Sequence, residues 1–496
     1  MDLGNIASLR LFYPELVLTA VTLVVVLVDL VSRDKSWLGE MALVSTAVVL
    51  LLIGIEPMDG GAWLFNRMLV HDSFAIFFRA LIALAALVAV WMSMGSAEVH
   101  NCEQGEYYAV LLASTLGMLL MAESTNLLMA YLALEFVSLT SYVLTGIIKH
   151  SRRSQEAALK YLIYGGVASG TMIYGMSWIF GLAGSLDFSV INRALFATGH
   201  VPVLAVFISL VLILSGMGYK VASVPFHMWA PDVYEGAPIP ITTFLAVGSK
   251  AAGFALMTRF FYPAISHLTS NGNWQALSGV AWPQLLLVIC IITMTLGNLA
   301  ALQQENMKRM LAYSSIAQAG YALMGFVLLS NDGLEAMLVY LFAYYVMDAG
   351  AFLVVMIVAN LTGREEMEAY KGLAWRSGGA VPAIALSIFL LSLTGIPATI
   401  GFIGKFYVFA AAIRQQFYIL AVIGILNSVV SLYYYMRPVK EMFLEQPAGE
   451  SKPVIAEYWN YGLMGALAIA TIFLGLYPPP IISFASRSLQ FFVGPS

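Results

Sequence analysis

Gly218-Tyr219-Lys220-Val221-Ala222-Ser223-Val224-Pro225 lies inside a run, Val201 to Trp229, that is otherwise nearly all apolar. Pro225 removes a helical donor and collides with the preceding turn. The stretch therefore reads as a membrane helix interrupted beside a buried charge. A second stretch has the same design. Val381 to Ile413 contains Gly395, Pro397, Gly401 and Gly404, with Lys405 just after the break. Both are too long for a simple span of roughly 20 residues. Interrupted apolar segments at corresponding positions of two halves are a sequence pointer to a transporter's ion site.

The rest of the chain agrees with a membrane setting. Of 496 residues, 60% are hydrophobic and 10% charged, so polar groups cannot cover the surface and lipid must be the solvent. A net charge of −4 without a basic stripe excludes nucleic acid as a partner. The two cysteines, Cys102 and Cys290, have no metal or redox spacing and read as structural. No cleavable signal peptide is evident. Asp2 precedes Arg10, and the apolar stretch from about Leu11 to Leu30 is long enough to be an uncleaved anchor.

With the same ruler, helices are expected near 11–32, 39–56, 72–95, 106–122, 125–148, 156–183 and 202–223. Others follow near 238–263, 282–302, 309–330, 334–361, 380–413, 416–437 and 458–477. The fold class is then an all-α polytopic membrane protein of fourteen transmembrane helices. If the N-terminus lies outside, thirteen basic loop residues, from Arg33 and Lys35 to Lys440 and Lys452, face the cytoplasm. Six, including Arg10, Arg67 and Arg259, face the other side, in keeping with the positive-inside rule. Both termini are expected on the non-cytoplasmic side. The breaks fall in the seventh and twelfth helices. Helices 4–8 and 9–13 then form two five-helix repeats, and an odd number of spans forces them to insert inverted. The divisions expected are 1–105 (helices 1–3), 106–265, 266–440 and 441–496.

Seven charges fall inside these spans: Arg79, Glu135, Lys160, Lys220, Lys250, Asp348 and Lys405. A charge at mid-membrane costs roughly 2.5–3.5 kcal/mol on insertion scales, so function is the default explanation. Glu135 is central in its helix with no base within a turn, and its partner must come from another helix. Burial lowers a lysine's proton affinity and a nearby carboxylate raises it again. Moving Glu135 toward or away from Lys220 would therefore switch that lysine's proton. Small neighbours around Lys250, in Gly248-Ser249-Lys250-Ala251-Ala252-Gly253, allow close helix approach but do not explain the lysine. Lys405 is the counterpart of Lys220. Lys160 is a relay or snorkels to the interface, and Arg79 snorkels or pairs structurally. Asp348 is a relay or a helix–helix anchor. The turn His227 to Pro238 holds a histidine and two acids, and either collects protons or is a capped re-entrant turn.

The run through Lys220, the His227-to-Pro238 turn and Ser249-Lys250-Ala251 resembles the antiporter-like subunits of respiratory complex I, the NADH-quinone oxidoreductase. Asn306-Met307-Lys308-Arg309-Met310-Leu311-Ala312-Tyr313-Ser314-Ser315-Ile316 resembles their tenth helix. Gly395-Ile396-Pro397-Ala398-Thr399-Ile400-Gly401-Phe402-Ile403-Gly404-Lys405-Phe406-Tyr407 extends the resemblance, which runs over essentially the whole chain. It implies a proton channel built on Glu135, Lys220, Lys250 and Lys405, with Lys160 in a less settled role. Lysine rather than glutamate at 405 favours the family's N-type branch over its M-type. Family members usually carry histidine at Gln318, and glutamine cannot titrate, so it only orders water there. They usually carry a neutral residue at Asp348, which here would restore proton-carrying capacity between Lys250 and Lys405.

The expectation is a proton-translocating subunit in a bacterial-type plasma membrane, beside other membrane-arm subunits and lipid. No cofactor is expected in this chain: NADH, FMN, iron–sulfur clusters and quinone would belong to partner subunits. The alternatives are a subunit of a multi-subunit sodium/proton antiporter, a non-pumping scaffold and, more weakly, a quinone-binding enzyme.

Overall fold

A backbone in lipid must satisfy its own hydrogen bonds, so a spanning chain is built from helices. A computed structural model describes residues 4–32, 35, 37–100, 102–197, 202–269, 273–446, 453, 454, 457–490 and 492. Arg33, Lys452 and the first residue of the Val201 run lie outside the described residues.

The long helices are α1 (Tyr13–Val31), α2 (Leu38–Gly54), α3 (Ser73–Met94), α4 (Gln104–Glu123) and α5 (Leu127–Thr145). Next come α6 (Arg152–Ala183), α7 (Val203–Val221), α8 (Ile239–Phe261), α9 (Trp282–Ala301) and α10 (Met307–Phe326). The last are α11 (Asn331–Thr362), α12 (Ala380–Thr394), α13 (Ile400–Arg414), α14 (Tyr418–Leu444) and α15 (Tyr458–Leu476). Among the described residues ten are long and apolar enough to cross a membrane, or up to eleven if Met367–Trp375 and α12, bent by 120°, make one span. Two short antiparallel hairpins, Ala62–Leu64 with Leu69–His71 and Ser266–Leu268 with Trp274–Ala276, cap one end.

The two breaks have clear local causes. α7 stops at Val221, one residue after Lys220, because Ala222 turns left-handed (φ +57°) and Pro225 follows. The chain resumes as a short helix at Trp229–Gly236, tied back by Trp229 Nε1 donating to the Tyr219 carbonyl at 3.0 Å. α12 stops at Thr394, where Gly395 takes φ +95°, and α13 starts at Ile400. α14 runs seven residues beyond the expected limit at Arg437, through Pro438. Proline there forfeits one backbone bond near the helix end, where ends fray anyway.

α8 and α11 form the centre. Every residue of α8 is buried, and α11 is buried from Leu334 to Val358 except for half-exposed Glu335 and Phe342. Just before Lys250, α8 widens into one π turn, Leu245–Ser249, an irregularity that often marks a working position. Gly253 brings α8 against the end of α7: a Cβ there would meet Val221 Cγ1 at 2.9 Å and Lys220 Cβ at 3.4 Å. The outer helices α1, α5, α6 and α14 instead expose large apolar side chains such as Leu23, Leu132, Val167 and Val429. That is the pattern of a bundle whose rim meets lipid or a neighbouring subunit.

Gly395→Ala should be poorly tolerated. The left-handed conformation costs an alanine about 1–2 kcal/mol, and its Cβ would sit 2.9 Å from Lys405 Cδ. A lower melting temperature of the purified protein is expected; an unchanged one contradicts this account of the break.

Candidate functional site

Lys220 is fully buried in the last turn of α7, and its Nζ has no hydrogen-bond partner among the described residues. The carbonyl end of the helix offers it partial negative charge. The charged side chain acting on it is Glu135 of α5, which is half-buried and leaves Oε1 without a partner. The two are coupled through space without a hydrogen bond to fix either one.

Lys250 is held differently. Its Nζ donates to the Ser315 carbonyl of α10 at 2.6 Å and to Ser315 Oγ. Ser315 Oγ also accepts from Tyr344 on α11 at 2.7 Å. One turn further on, Asp348 faces Lys250 electrostatically, and neither carboxylate oxygen has a hydrogen-bond partner among the described residues. The buried Tyr234 hydroxyl lies in the same group, beside Ser315 and Asp348.

A chain of neutral polar groups continues from there. Gln318, one turn beyond Ser315 on α10, accepts from the Tyr340 hydroxyl. Its Nε2 donates to Tyr435 Oη at 3.1 Å and to the Leu393 carbonyl at 3.2 Å. Tyr435 also pairs with Ser314. Tyr340 and Tyr321 have ring centroids 6.0 Å apart.

Beyond Tyr321 is Lys405. It is 3% exposed, and its Nζ donates to the Thr394 carbonyl at 2.9 Å and to Ser428 Oγ at 3.1 Å. It also lies 4.5 Å from the Tyr321 ring centroid. The break between α12 and α13 is what frees the Thr394 carbonyl, since it lies in the last turn of α12. Lys250, Asp348 and Lys405 thus lie along a buried row lined by hydroxyls, an amide and aromatic rings, and Lys220 sits beside α8 at Gly253 without a bond to that row among the described residues. Such groups can pass protons when water joins them.

The remaining expected residues fall elsewhere. Lys160, 39% exposed at its side chain, pairs with Glu156 and Asp232, each at 2.7 Å. Asp232 pairs in turn with Arg309 at 2.6 Å, and Arg309 with Glu235 at 2.9 Å. His227 is buried with Nδ1 unpartnered among the described residues, while the two acids of its turn hold Lys160 and Arg309 instead. Arg79 does not snorkel: it is fully buried, with Glu15 and Glu56 at 2.8 Å and Glu123 at 3.1 Å. Cys290 donates to the Gly320 carbonyl at 3.2 Å, and both cysteines are free. Among the described residues no cluster of histidine, cysteine and acid could hold a metal.

Sequence reasoning missed the neutral members, Ser315, Tyr321, Tyr340, Tyr344 and Tyr435. None carries a charge, so none violates the lipid rule that exposed the lysines. Lys308, just ahead of the helix expected from 309, is buried, donating to the Ala237 carbonyl at 2.7 Å and pairing with Glu365 at 3.0 Å. Glu15, Glu56 and Glu123 sit at ends of apolar runs, where acids look solvated. Three carboxylates near span ends beside one mid-span arginine were the available signal.

A family model described as NADH:quinone oxidoreductase/Mrp antiporter, TM, matches residues 124–431. The chain is similar to "NADH-quinone oxidoreductase subunit N" of Anaeromyxobacter sp. (strain Fw109-5), 44% identical over 511 residues, covering 99% of this chain and 98% of that protein. Its fold is similar to a chain of "Respiratory complex I from Thermus thermophilus with bound Aureothin", with TM-score 0.79 and 30% identity, covering 95% of this chain and 99% of that one. A chain of the "Mrp complex from Dietzia sp. DQ12-45-1b" shares the fold at TM-score 0.77 and 18% identity, covering 98% and 97%.

At the Lys160 end, burial raises the proton affinity of Asp232, but hydrogen bonds from Lys160 and Arg309 outweigh it and hold the carboxyl below its ordinary 3.8. A depressed carboxyl contributes stability above its unfolded value and loses it as pH falls through the folded one. Asp232→Asn should therefore melt below the parent protein at neutral pH and converge with it in acid below 3.8. A constant gap across pH would show that the carboxylate charge is not what joins these helices.

Proposed function

Because the chain belongs to the NADH:quinone oxidoreductase/Mrp antiporter membrane-subunit family, we propose that its buried lysine row is the route by which it moves protons. The chain is an antiporter-like membrane-arm subunit, of the subunit N kind, of an NADH-quinone oxidoreductase that translocates protons. Its partners are the other membrane-arm subunits and the bilayer. The observation that carries the route is Lys220, a fully buried lysine with no hydrogen-bond partner among the described residues, acted on by the Glu135 carboxylate.

In this reading protons enter from the cytoplasm at the Lys160–Asp232–Arg309 end and occupy Lys220 and Lys250. They pass along Ser315, Gln318 and the tyrosines to Lys405, and leave on the far side. Glu135 sets the charge state of Lys220. Asp348 sets that of Lys250 and returns titratable capacity lost at Gln318. The driving signal is electrostatic and originates in quinone chemistry on other subunits, which hold NADH, FMN, iron–sulfur clusters and quinone. Lysine suits such a site because desolvation lowers its proton affinity, which arginine retains.

Two inverted five-helix repeats, 106–265 and 266–440, frame this path between an N-terminal part, 1–105, and a C-terminal helix, 441–496. Counting α12 and α13 as one broken span gives fourteen. Support comes from the paired breaks, each one or a few residues from a lysine. The excess of basic residues on one set of loops supports a plasma-membrane protein with both termini outside the cytoplasm. The reading as a sodium/proton antiporter subunit shares the fold, but the 44% identity with a subunit N over the full chain favours the respiratory complex.

In the assembled complex, Asp348→Asn is expected to lower NADH-driven proton uptake several-fold while Asp348→Glu keeps most of it. Lys250→Ala should lower proton uptake and quinone reduction together, measured side by side in sealed vesicles. Full pumping by Asp348→Asn would exclude a proton-carrying aspartate, and full pumping by Lys250→Ala would exclude the lysine row.

A further inference from the structure

The Arg79 cluster lies at the end of the bundle opposite the Lys160–Asp232–Arg309 network, away from the lysine row. Arg79 comes from α3, Glu15 from the first turn of α1, Glu56 from just after α2, and Glu123 from the last turn of α4. All four are buried. The Leu69–His71 strand covers them, bridging from Leu69 to Ser124. Arg79 Nη1 and Nη2 donate to Glu56 at 2.8 and 3.2 Å. Nε, which has one hydrogen, donates to Glu15 Oε1 at 2.8 Å.

Glu123 gets no hydrogen from this arrangement. Its Oε1 is 3.1 Å from the same Nε, whose hydrogen already points at Glu15. Glu123 is 1% exposed, and among the described residues neither of its oxygens nor Glu15 Oε2 has a hydrogen-bond partner. Three carboxyl oxygens thus crowd one guanidinium with no donor among them. Arg259 of α8, the next base, is taken by a two-point pair with Asp72 and by the Ala122 and Phe492 carbonyls. His71 contacts Arg79 at 3.4 Å, and burial and then Arg79 push it down to about 4, so it adds no positive charge. Tyr13 lies beside Glu56 and donates to the Leu52 carbonyl at 3.1 Å. Burial, with help from Glu15 and against Arg79, pushes Glu56 itself up to about 7.

Like carboxylates this close, and this far from water, do not both remain ionised. We propose that Glu15 and Glu123 form a proton-binding site, sharing one exchangeable proton beside Arg79. The proton turns one acid into the donor that the orphaned oxygens lack. Its exchange with the surface passes by Glu56 and His71, the cluster's outermost members. The site requires no quinone chemistry and stands apart from the lysine row.

The test is an infrared pH titration of the complex in lipid nanodiscs, without NADH or quinone. Subtracting Glu123→Gln from the parent spectrum should leave a protonated-carboxyl band that fades reversibly as pH rises. Glu15→Gln, which leaves Arg79 Nε free for Glu123, should remove the same band, and Glu123→Asp should retain one. No band at any pH, a band indifferent to pH, a band surviving Glu15→Gln, or one that follows sodium instead of pH would each overturn the proposal. Because pumping is not read, this result stands separately from the function assigned to the lysines.

Discussion

An ammonium or guanidinium inside a bundle of apolar helices must find opposite charge, find oxygen, or lose its proton. Every charged side chain in the core obeys this rule in a different way. Arg79 meets three carboxylates and Arg259 a two-point aspartate pair. Both stay charged, because a guanidinium does not give up its proton. Lys250 and Lys405 take neutral oxygens, from Ser315 in one case and from Thr394 and Ser428 in the other. Lys220 takes no hydrogen-bond partner among the described residues. Held by neutral oxygens or by none, the three lysines keep the option of releasing a proton, which a close ion pair would remove.

The interruptions in the helices follow from the same rule. An unbroken helix spends its carbonyls on its own ladder and leaves none for a side chain. Stopping α12 at Thr394 frees a carbonyl for Lys405, and the absent side chain at Gly395 leaves room for the lysine's stem. Stopping α7 at Val221 sets Lys220 at a carbonyl-rich end. The central helix α11 keeps its ladder and α8 departs from it only in the π turn before Lys250, so that Lys250 and Asp348 face each other beside Ser315 of α10. Between them and Lys405 the links are neutral. Gln318 accepts from Tyr340 and donates to Tyr435 and Leu393, so its amide ties α10 to α11, α12 and α14.

The charges inside apolar runs were legible in the sequence, and so were the breaks, because each violates what lipid demands. Lys220, Lys250, Asp348 and Lys405 all stand out against their neighbours by hydropathy alone. What joins them was not legible. A tyrosine such as Tyr340 is compatible with any core, and only packing turns it toward Gln318. The acids around Arg79 were hidden for the opposite reason: Glu15 and Glu123 occupy helix ends, where water is the ordinary expectation. Lys160 was ambiguous in the sequence because a residue two turns from a helix end can reach water or an acid. The structure gives it Asp232, brought in by the return of the chain after the α7 break.

The proposed route depends on Lys220, at the end of α7, carrying a proton in turnover. The most direct measurement compares Lys220→Ala with the parent complex in sealed vesicles, recording NADH-driven quinone reduction and proton uptake together, with assembly checked independently. Both activities should fall while the complex stays intact. Activities at the parent level would make Lys220 a structural residue and leave the chain a scaffold.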